Sequence, residues 1–465
     1  MSQTADEVLL MEDADRRARA YTAGIGARPV FPTADAVRNL VTFDEPLPDR
    51  GRDAAETLGL LDDYGTPATV ETNGGRYFGF VTGATFPVAA AAERLVLAWD
   101  NAGLAHVTSP AAAKVEAVAA RWVLDALHLP STAGVGFTTS AGAGTLIAVA
   151  AARRALLRRH GWDVDEHGLT GAPQIRVVVS ELGHVVITKA LRVLGFGTAQ
   201  IALARTDEFG RVDPAALPPI DDRTIVVLQA GEVNTGEFDP FAEIIPAARD
   251  AGAWVHVDGA FGLWARASAE HRHLTEGIDA ADSWTVDGHK WLNTPYDSAM
   301  VILADRAQLA ETMNSDAAYS STSADSQKNL TLEFSRRPRG IAIWAALRTL
   351  GRDGVADLVE RTTGLAAEIA RGLDDSGYTV LNRVVINQII ATADTPEETA
   401  RIAAAAQASG RTWFGTSVWR GEPVMRISVS SWRTTAADVD DLLDLLRGLK
   451  AASDRGVPAT GRLAP

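Results

Sequence analysis

The chain has 465 residues, 46% of them hydrophobic and 22% charged, which is enough apolar material for a large folded core and excludes a mainly disordered chain. Its formal net charge of -15 argues against nucleic acid as a partner, because an acidic protein repels a polyanion. Cysteine is absent, which excludes disulfides, thiolate metal sites and cysteine nucleophiles.

Neither a membrane helix nor a secretion signal is predicted. No apolar run reaches the roughly 18 residues that a membrane helix needs. Residues 1–7 lack the basic start and the apolar core of a signal peptide. We therefore expect a cytoplasmic protein that has no membrane partner.

The first 75 residues are predicted to form an N-terminal arm rather than a domain. Short helical patterns in this part are interrupted by prolines, as at Pro29, Pro46 and Pro48. Helices are predicted next, over about 87–101 and 110–127. A large domain is accordingly expected to begin at residue 76.

Residues from about 134 to 305 alternate between short β-branched runs and helical stretches. The runs lie at 174–179, 224–228, 254–257, 283–286 and 300–303. Because each run is apolar on both faces, the pattern predicts a buried, mostly parallel sheet with helices on both sides. Ligands bind at the carboxyl ends of such strands, so site residues are expected there.

The C-terminal part has an α+β pattern. A polar stretch over 315–339 predicts a mobile loop, and the large domain is expected to end at residue 335. Two helical stretches, strand-like runs at 384–391 and 424–430 and a last helix near 436–449 follow. These elements predict a small domain over 336–465.

A stretch rich in glycine precedes the helix expected after residue 145. Ser140, Ala141 and Gly142 lie in it, and small residues at a helix start allow backbone N–H groups to approach a phosphate. The stretch is not a Walker A loop and fits the dinucleotide fingerprint poorly. A turn without chemistry remains the alternative interpretation.

Two charged residues follow predicted strands. Asp258 ends the run at 254–257, where it can face a ligand or cap the next helix. Lys290 lies just after the run at 283–286, a costly place for an ammonium group unless it is paired or used chemically. Only five of the 44 basic residues are lysines, and the other four have polar neighbours that predict solvated side chains. Lys290 is therefore the candidate for an imine-forming amine.

A phosphate cradle, an aspartate and a lysine at strand ends together suit pyridoxal 5′-phosphate (PLP). That cofactor needs an anion site, a carboxylate at its ring nitrogen and a lysine that holds its aldehyde as a Schiff base. By contrast, His271 and His273 lack the further ligands that a metal site requires, and we expect no metal. Arg336 and Arg337 are interpreted either as part of a site or as a solvated pair.

The sequence resembles the group II PLP-dependent amino acid decarboxylases, such as those acting on glutamate and aromatic amino acids. The most specific segment is Ala-Asp-Ser-Trp-Thr-Val-Asp-Gly-His-Lys-Trp-Leu at 281–292, with Gly288 in place of the family's proline. His-Val-Asp-Gly-Ala-Phe-Gly at 256–262 is a second shared segment. The resemblance implies fold type I, with a mostly parallel seven-stranded sheet in the large domain, and a homodimer with shared active sites.

The resemblance also implies roles for individual residues. Lys290 would form the Schiff base, Asp258 would bind the ring nitrogen, and His184 would stack on the ring. The full expected cofactor site comprises Thr82 (from the partner subunit), Ser140, Ala141, Gly142, His184, Asn234, Asp258, Ala260, Asp287, His289 and Lys290. Arg426 and Phe80 are expected to contact the substrate.

Three departures from the family affect the expected chemistry. Gly142 stands where many relatives have Ser or Thr, so one side-chain hydrogen bond to the phosphate is expected to be missing. The family's Gly-Thr-Thr is Gly-Glu-Val at 231–233, so Asn234 is expected to replace a threonine. No tyrosine lies between Tyr319 and Arg336, where animal members carry their proton donor.

The leading hypothesis is decarboxylation of an L-amino acid to its amine through a Lys290 Schiff base, with His184 as the substitute proton donor. One alternative keeps the cofactor but forms an aldehyde by oxidative decarboxylation or cleaves a bond as an aldolase-type lyase. The other alternative is a catalytically silent homologue that acts in binding or assembly. The sequence does not identify the amino acid.

Overall fold

The computed structural model describes residues 3–315 and 326–455. Its helices are α1 (Gln3–Ala23), α2 (Ala34–Arg38), α3 (Ala54–Leu60), α4 (Pro87–Trp99), α5 (Pro110–Ala126), α6 (Ala141–Arg159), α7 (Val164–His167), α8 (Val185–Val193), α9 (Phe241–Asp250), α10 (Arg306–Thr312), α11 (Gly340–Asp374), α12 (Pro396–Ala408) and α13 (Ala436–Asp454). Its strands are β1 (Tyr77–Phe78), β2 (Gly134–Thr138), β3 (Arg176–Ser180), β4 (Ile201–Ala204), β5 (Thr224–Gln229), β6 (Trp254–Asp258), β7 (Ser283–Asp287), β8 (Ala299–Leu303), β9 (Thr379–Val380), β10 (Gln388–Thr392), β11 (Trp413–Trp419) and β12 (Glu422–Ser428).

The main sheet has seven strands in the order β2-β8-β7-β6-β5-β3-β4. All neighbours pair in parallel except β8, which is antiparallel to both β2 and β7. The α/β fold with a mostly parallel seven-stranded sheet is therefore confirmed. The carboxyl ends of β5, β6 and β7 lie side by side at one edge.

Both faces of this sheet are buried, which explains why the strands are apolar throughout. Val177 and Val179 pack in a cluster with residues of α6 and α8, whereas Val178 packs in a second cluster with residues of α5 and α9. Alternate residues of a strand point to opposite faces, so helices on both sides require apolar residues at every position.

All five predicted runs are strands, and two further strands of the sheet were not predicted. β4 is a half-exposed edge strand without a continuous apolar run. β2 contains two glycines, which are depleted in strands. Gly136 is required by close packing, because an added Cβ would lie 2.1 Å from the carbonyl oxygen of Leu330.

A second sheet has the order β1-β11-β12-β10-β9. The predicted runs at 384–391 and 424–430 correspond to β10 and β12, and the predicted last helix corresponds to α13. β1 comes from the N-terminal part and pairs in parallel with β11, with Tyr77 opposite Trp413. The domain boundaries at 75/76 and 335/336 stay a prediction.

The polar stretch that predicted a mobile loop is buried over much of its described part, which comprises residue 315 and residues 326–339. Gln327 is buried, and its Oε1 accepts hydrogen bonds from the backbone N–H of Phe137 and from Arg336. Arg336 forms two 2.9 Å hydrogen bonds with the carboxylate of Glu116. These polar groups are buried because they satisfy one another and cover the edge strand β2.

None of the helices in the described ranges combines the length and the apolar character needed to cross a lipid bilayer.

Candidate active site

A cavity of about 520 Å³ lies at the carboxyl ends of β5, β6 and β7. Ten of the predicted site residues line it: Phe80, Ser140, Ala141, Gly142, His184, Asp258, Ala260, Asp287, Lys290 and Arg426. Residues that were not predicted complete the wall: Val81, Ala143, Leu146, Val186, Lys189, Ala190, Val193, Gln229, Gly231, Val233, Phe261 and Leu332. The topology thus brings residues from distant parts of the chain to one site.

Lys290 lies inside this cavity, just after β7. Its Nζ is 3.4 Å from Oδ2 of Asp287 and 5.8 Å from the ring centroid of Phe261. The side chain is 22% exposed, so the ammonium group is paired with a carboxylate and still reaches the open space. A lysine in this setting can present its amine to a carbonyl ligand.

The prediction that the other four lysines are solvated is correct for Lys114 and Lys189 and wrong for the remaining two. Lys328 is 1% exposed and lies 5.5 Å from the ring centroid of Phe334. Lys450 is buried because its Nζ forms a 2.6 Å ion pair with Asp394. Lys189 is exposed and lines the cavity, so it provides a second amine at the site.

Asp287 holds the start of α6 beside Lys290. It is 3% exposed, and its Oδ1 accepts a 2.7 Å hydrogen bond from the N–H of Ala141. The same carboxylate thus contacts the helix start through Oδ1 and the Lys290 ammonium through Oδ2. This arrangement fixes the distance between the amine and the predicted phosphate site.

The start of α6 leaves one backbone donor for a ligand. The Ser140 side chain caps the helix by accepting from the N–H of Ala143, and the N–H of Ala141 is bonded to Asp287. The N–H of Gly142 makes no hydrogen bond within the described part of the chain. Together with the helix dipole, it provides a site for an anion.

His184 and Asp258 form the opposite part of the wall. Nδ1 of His184 accepts a 3.2 Å hydrogen bond from the N–H of Val186, so the neutral imidazole carries its proton on Nε2. Burial lowers the pKa of His184, and the nearby Asp258 carboxylate partly opposes this effect. Asp258 is half-buried, and its Oδ1 accepts from the N–H of Ala260 at 3.1 Å.

Arg426 and Phe80 also line the cavity. Nε of Arg426 is buried and has no hydrogen-bond partner in the described ranges. Burial lowers the pKa of this guanidinium, although the charge of Glu232 raises it. Phe80 is 62% exposed and stacks on Trp413 at 5.4 Å. The site therefore combines a partly desolvated cation with an exposed aromatic ring.

Three predicted site residues do not line the cavity. Asn234 instead donates to Glu232, and its Oδ1 accepts a 2.7 Å hydrogen bond from Ser417, which corrects the expectation that it replaces a threonine. His289 lies behind the wall, stacked on Tyr296 at 4.3 Å, and burial lowers its pKa. Thr82 is buried in its own chain, so its predicted contact with a partner subunit stays a prediction.

Among the unpredicted wall residues, Gln229 offers the clearest polar group. It is 4% exposed, and its Nε2 has no hydrogen-bond partner among the described residues. Gln229 lies opposite Asp258 in the register of β5 and β6. The predicted strand stopped at residue 228; its extension by one residue would have placed this amide beside Asp258.

The glycines at two family motif positions are explained by their neighbours. A Cβ on Gly142 would lie 2.6 Å from Cγ1 of Val186, so Val186 fills the space of a larger side chain. The N–H of Gly288 donates to the carbonyl oxygen of Ser298 at 2.9 Å, a hydrogen bond that proline cannot form.

The remaining sequence hypotheses concern residues away from the cavity. His271 is buried and His273 is exposed, so the expectation of a solvated pair is wrong for His271. No cluster of three or more metal-ligating side chains occurs in the part of the chain that the structure describes. Arg336 is buried against Glu116, so a solvated pair is wrong for Arg336; Arg337 is partly exposed and pairs with the mostly buried Glu93. Tyr319 lies outside the described residues.

The donor set of the cavity fits PLP. The N–H of Gly142 suits a phosphate, the Asp258 carboxylate suits a protonated ring nitrogen, and Lys290 supplies the amine for the aldehyde. The His184 imidazole lies on the same wall. The agreement with PLP therefore rests on the unpaired N–H of Gly142 and on the charges of Asp258 and Lys290.

Comparison with known proteins gives the same result. The family model for the "Pyridoxal-dependent decarboxylase conserved domain" matches residues 67–389. Aromatic-L-amino-acid decarboxylase of Bacillus atrophaeus is 28% identical over 359 residues, which cover 74% of this chain and 72% of the relative. Phenylacetaldehyde synthase of Arabidopsis thaliana is 26% identical over 349 residues, with 69% and 70% covered.

The fold also matches a solved structure. The crystal structure of Oryza sativa TDC with PLP and tryptamine has a TM-score of 0.89 at 22% identity, covering 97% of this chain and 99% of that chain. The family match spans well over half of the chain, and the cavity holds the residues that PLP requires. The chain therefore belongs to the family of pyridoxal-dependent decarboxylases, lyases that use PLP as their cofactor.

Proposed function

We propose that this protein removes the α-carboxylate of an L-amino acid as carbon dioxide and releases the corresponding amine. The observation that carries the proposal is the convergence of Lys290, Asp258, His184 and the start of α6 on one cavity. A relative named as an aromatic-L-amino-acid decarboxylase supports the same reaction.

Lys290, Asp258 and Gly142 would hold the cofactor at its aldehyde, ring nitrogen and phosphate, respectively. When bound, PLP supplies a protonated ring that accepts the electron pair of the bond broken at the α-carbon. Asp258 retains the proton on the ring nitrogen, because its carboxylate stabilises a positive charge beside it. Lys290 would also supply the amine that displaces the product.

Arg426 binds and orients the amino acid. Its guanidinium is a poorly solvated cation at the cavity wall, so an anionic carboxylate is its favoured partner. Orientation matters because the bond that breaks is the one held perpendicular to the cofactor ring.

His184 supplies the proton that replaces carbon dioxide at the α-carbon. Its Nε2 carries the proton of the neutral imidazole, since Nδ1 accepts from Val186. His184 lines the cavity, so this Nε2–H group can face the ligand.

The apolar part of the cavity favours an aromatic or other apolar amino acid. Phe80, Leu146, Val186, Val193 and Leu332 form this part of the wall. Transfer of an apolar side chain from water onto such a surface is favourable at roughly 25 cal/mol per Å². An acidic side chain would instead have to pair with Lys189 or Arg426.

We also propose a homodimer in the cytoplasm. Leu47, Val107 and Val41 are 93%, 81% and 67% exposed, and such apolar residues on the arm and near α5 suit an interface with a second copy. Light scattering of the purified protein tests the proposed dimer; a monomer at micromolar concentration would contradict it.

Product analysis tests the reaction. Purified protein with PLP is given a panel of L-amino acids, and carbon dioxide, amine, aldehyde and peroxide are measured. Amine and carbon dioxide in equal amounts are expected, with loss of both in Lys290→Ala. Lys189→Ala is the matched control, because it removes the other amine at the cavity and is expected to keep the PLP imine.

A second candidate is oxidative decarboxylation to an aldehyde, with dioxygen as the oxidant that becomes peroxide and with the amino group released as ammonia. A relative named phenylacetaldehyde synthase supports this candidate. Aldehyde with peroxide in place of amine would establish it. A wild-type protein without a visible imine band after PLP addition would instead favour a non-catalytic homologue.

A further inference from the structure

Gln229 carries a buried polar group that has no protein partner. The residue is 4% exposed and lines the cavity, and its Nε2 has no hydrogen-bond partner in the described part of the chain. Buried amide groups are almost always hydrogen-bonded, because an unpaired one loses its contacts with water without replacement. An unpaired donor on a residue that lines the cavity indicates an acceptor on the ligand.

The backbone of Gln229 is held firmly in place. Its N–H donates to Oδ2 of Asp239 at 2.7 Å, and its carbonyl oxygen accepts from the N–H of Asp239 at 3.1 Å. The next residue, Ala230, donates its N–H to the carbonyl oxygen of Asp258 at 2.8 Å. The side-chain amide is therefore presented by a rigid strand end next to Asp258.

The order of the strands indicates which ligand atom this amide meets. Ser140 follows β2, and the start of α6 is tied to Asp287 on β7, so the phosphate site lies on one side of β6. Gln229 lies on β5, on the other side of β6, which carries Asp258. In PLP the hydroxyl group and the phosphate arm flank the carbon that bears the aldehyde, so they lie on opposite sides of the axis that joins this carbon to the ring nitrogen.

We propose that the Gln229 amide donates a hydrogen bond from Nε2 to the ring-hydroxyl oxygen of bound PLP. With the nitrogen at Asp258 and the phosphate at Gly142, the edge that bears this oxygen would face β5. A donor at this oxygen stabilises its anionic form and thus the imine that absorbs visible light. The inference rests on the cofactor and not on which bond of the substrate is broken.

The test compares Gln229→Met, Gln229→Glu and Gln388→Met with the wild type. Methionine keeps the length of glutamine without a donor, and glutamate replaces the donor with a negatively charged oxygen. Gln388 is the matched control, because its Nε2 is also buried without a partner among the described residues but it does not line the cavity. Its Oε1 accepts from Ser428 at 2.7 Å.

The readouts are PLP affinity, measured by titrating the apo-protein, and the absorption spectrum of the holo-protein without substrate. Gln229→Met is expected to bind PLP roughly 10- to 100-fold more weakly, the loss of one hydrogen bond to a charged acceptor. Its visible imine band should weaken in favour of the near-ultraviolet form. Gln229→Glu should show both effects more strongly, and Gln388→Met neither.

Unchanged PLP affinity and an unchanged visible band in both Gln229 variants would overturn the proposal. A raised KM for the amino acid with unchanged PLP affinity would also overturn it, and would assign Gln229 to the substrate carboxylate. Melting of the apo-proteins separates misfolding from these outcomes, since Gln229→Met is expected to be at least as stable as the wild type. Both readouts are taken without substrate, so they remain decisive even for a protein that releases no carbon dioxide.

Discussion

His256 is expected to make the protein sensitive to acid. It is fully buried in β6, two residues before Asp258, and its Nδ1 lies 2.9 Å from Oγ of Ser283. Burial lowers the pKa of this imidazole from 6.5 to about 4. In the unfolded chain the imidazole takes up a proton as the pH falls below 6.5, whereas in the folded protein it stays neutral until about pH 4.

The size of the effect follows from this difference. A shift of one pKa unit corresponds to about 1.36 kcal/mol, so the difference between 6.5 and about 4 costs ~3 kcal/mol of folding stability at the acidic end of the window. The stability is fully present above pH 6.5 and is lost as the pH falls towards the folded pKa. Unfolding entropies of about 2.1 cal/mol/K per residue convert this loss into ~3 °C for 465 residues.

The assay is thermal unfolding of apo-protein between neutral pH and the folded pKa of His256, with His256→Asn compared with the wild type. Asparagine retains a hydrogen-bonding group for Ser283 and cannot be protonated in this range, so the Tm of the variant should fall ~3 °C less. Burial raises the pKa of Asp239 to about 7, which has the opposite sign in the same window, but this term is common to both proteins. His273→Asn, at an exposed position, is the control. An equal fall in Tm with pH in the wild type and in His256→Asn would refute the role assigned to His256.

Three further outcomes are expected. Gly288→Pro removes the 2.9 Å hydrogen bond to the carbonyl oxygen of Ser298 and places ring atoms against the Ser298 Oγ. The Tm should therefore fall by ~2–4 °C, and an unchanged melting curve would contradict this expectation. Arg336→Met leaves the buried Glu116 carboxylate without its counter-charge, at a cost of about 3–5 kcal/mol in urea unfolding, and Arg336→Met with Glu116→Leu should recover most of it. His184→Phe keeps a ring against the cofactor but has no proton to donate, so amine formation should fall by ~10²–10⁴ with PLP affinity nearly retained; an unaffected rate would exclude His184 as the donor.

The fold was predictable where local pattern and burial agree. The five apolar runs are strands because helices cover both faces of the sheet, and Asp258 and Lys290 could be located because a charge at the end of such a run is conspicuous. β2 and β4 lack this pattern. β2 contains glycine where a loop packs closely, and β4 is a half-exposed edge.

Burial of polar groups was not predictable, because their partners are distant in sequence. Lys450 lies near the end of the chain's last helix and pairs with Asp394, 56 residues away. Arg336 is buried by Glu116, which is 220 residues away. Gln229 differs from these two residues, because its side-chain amide is buried without a partner among the described residues. No sequence pattern predicts a missing partner.

The departures from the family motif are matched by compensating neighbours. Gly142 leaves space that Val186 fills, and Gly288 leaves space for the oxygens of Ser298 and Thr294, which an added Cβ would approach to 2.5 and 2.6 Å. A single reversion at either glycine therefore creates a steric clash, although it restores the residue that the family favours. Substitutions of contacting residues have non-additive effects on stability. We therefore expect the family residue to be tolerated at either position only when the neighbour is also replaced by a smaller residue. At both motif positions, therefore, the changed residue and its neighbours still fill the same space together.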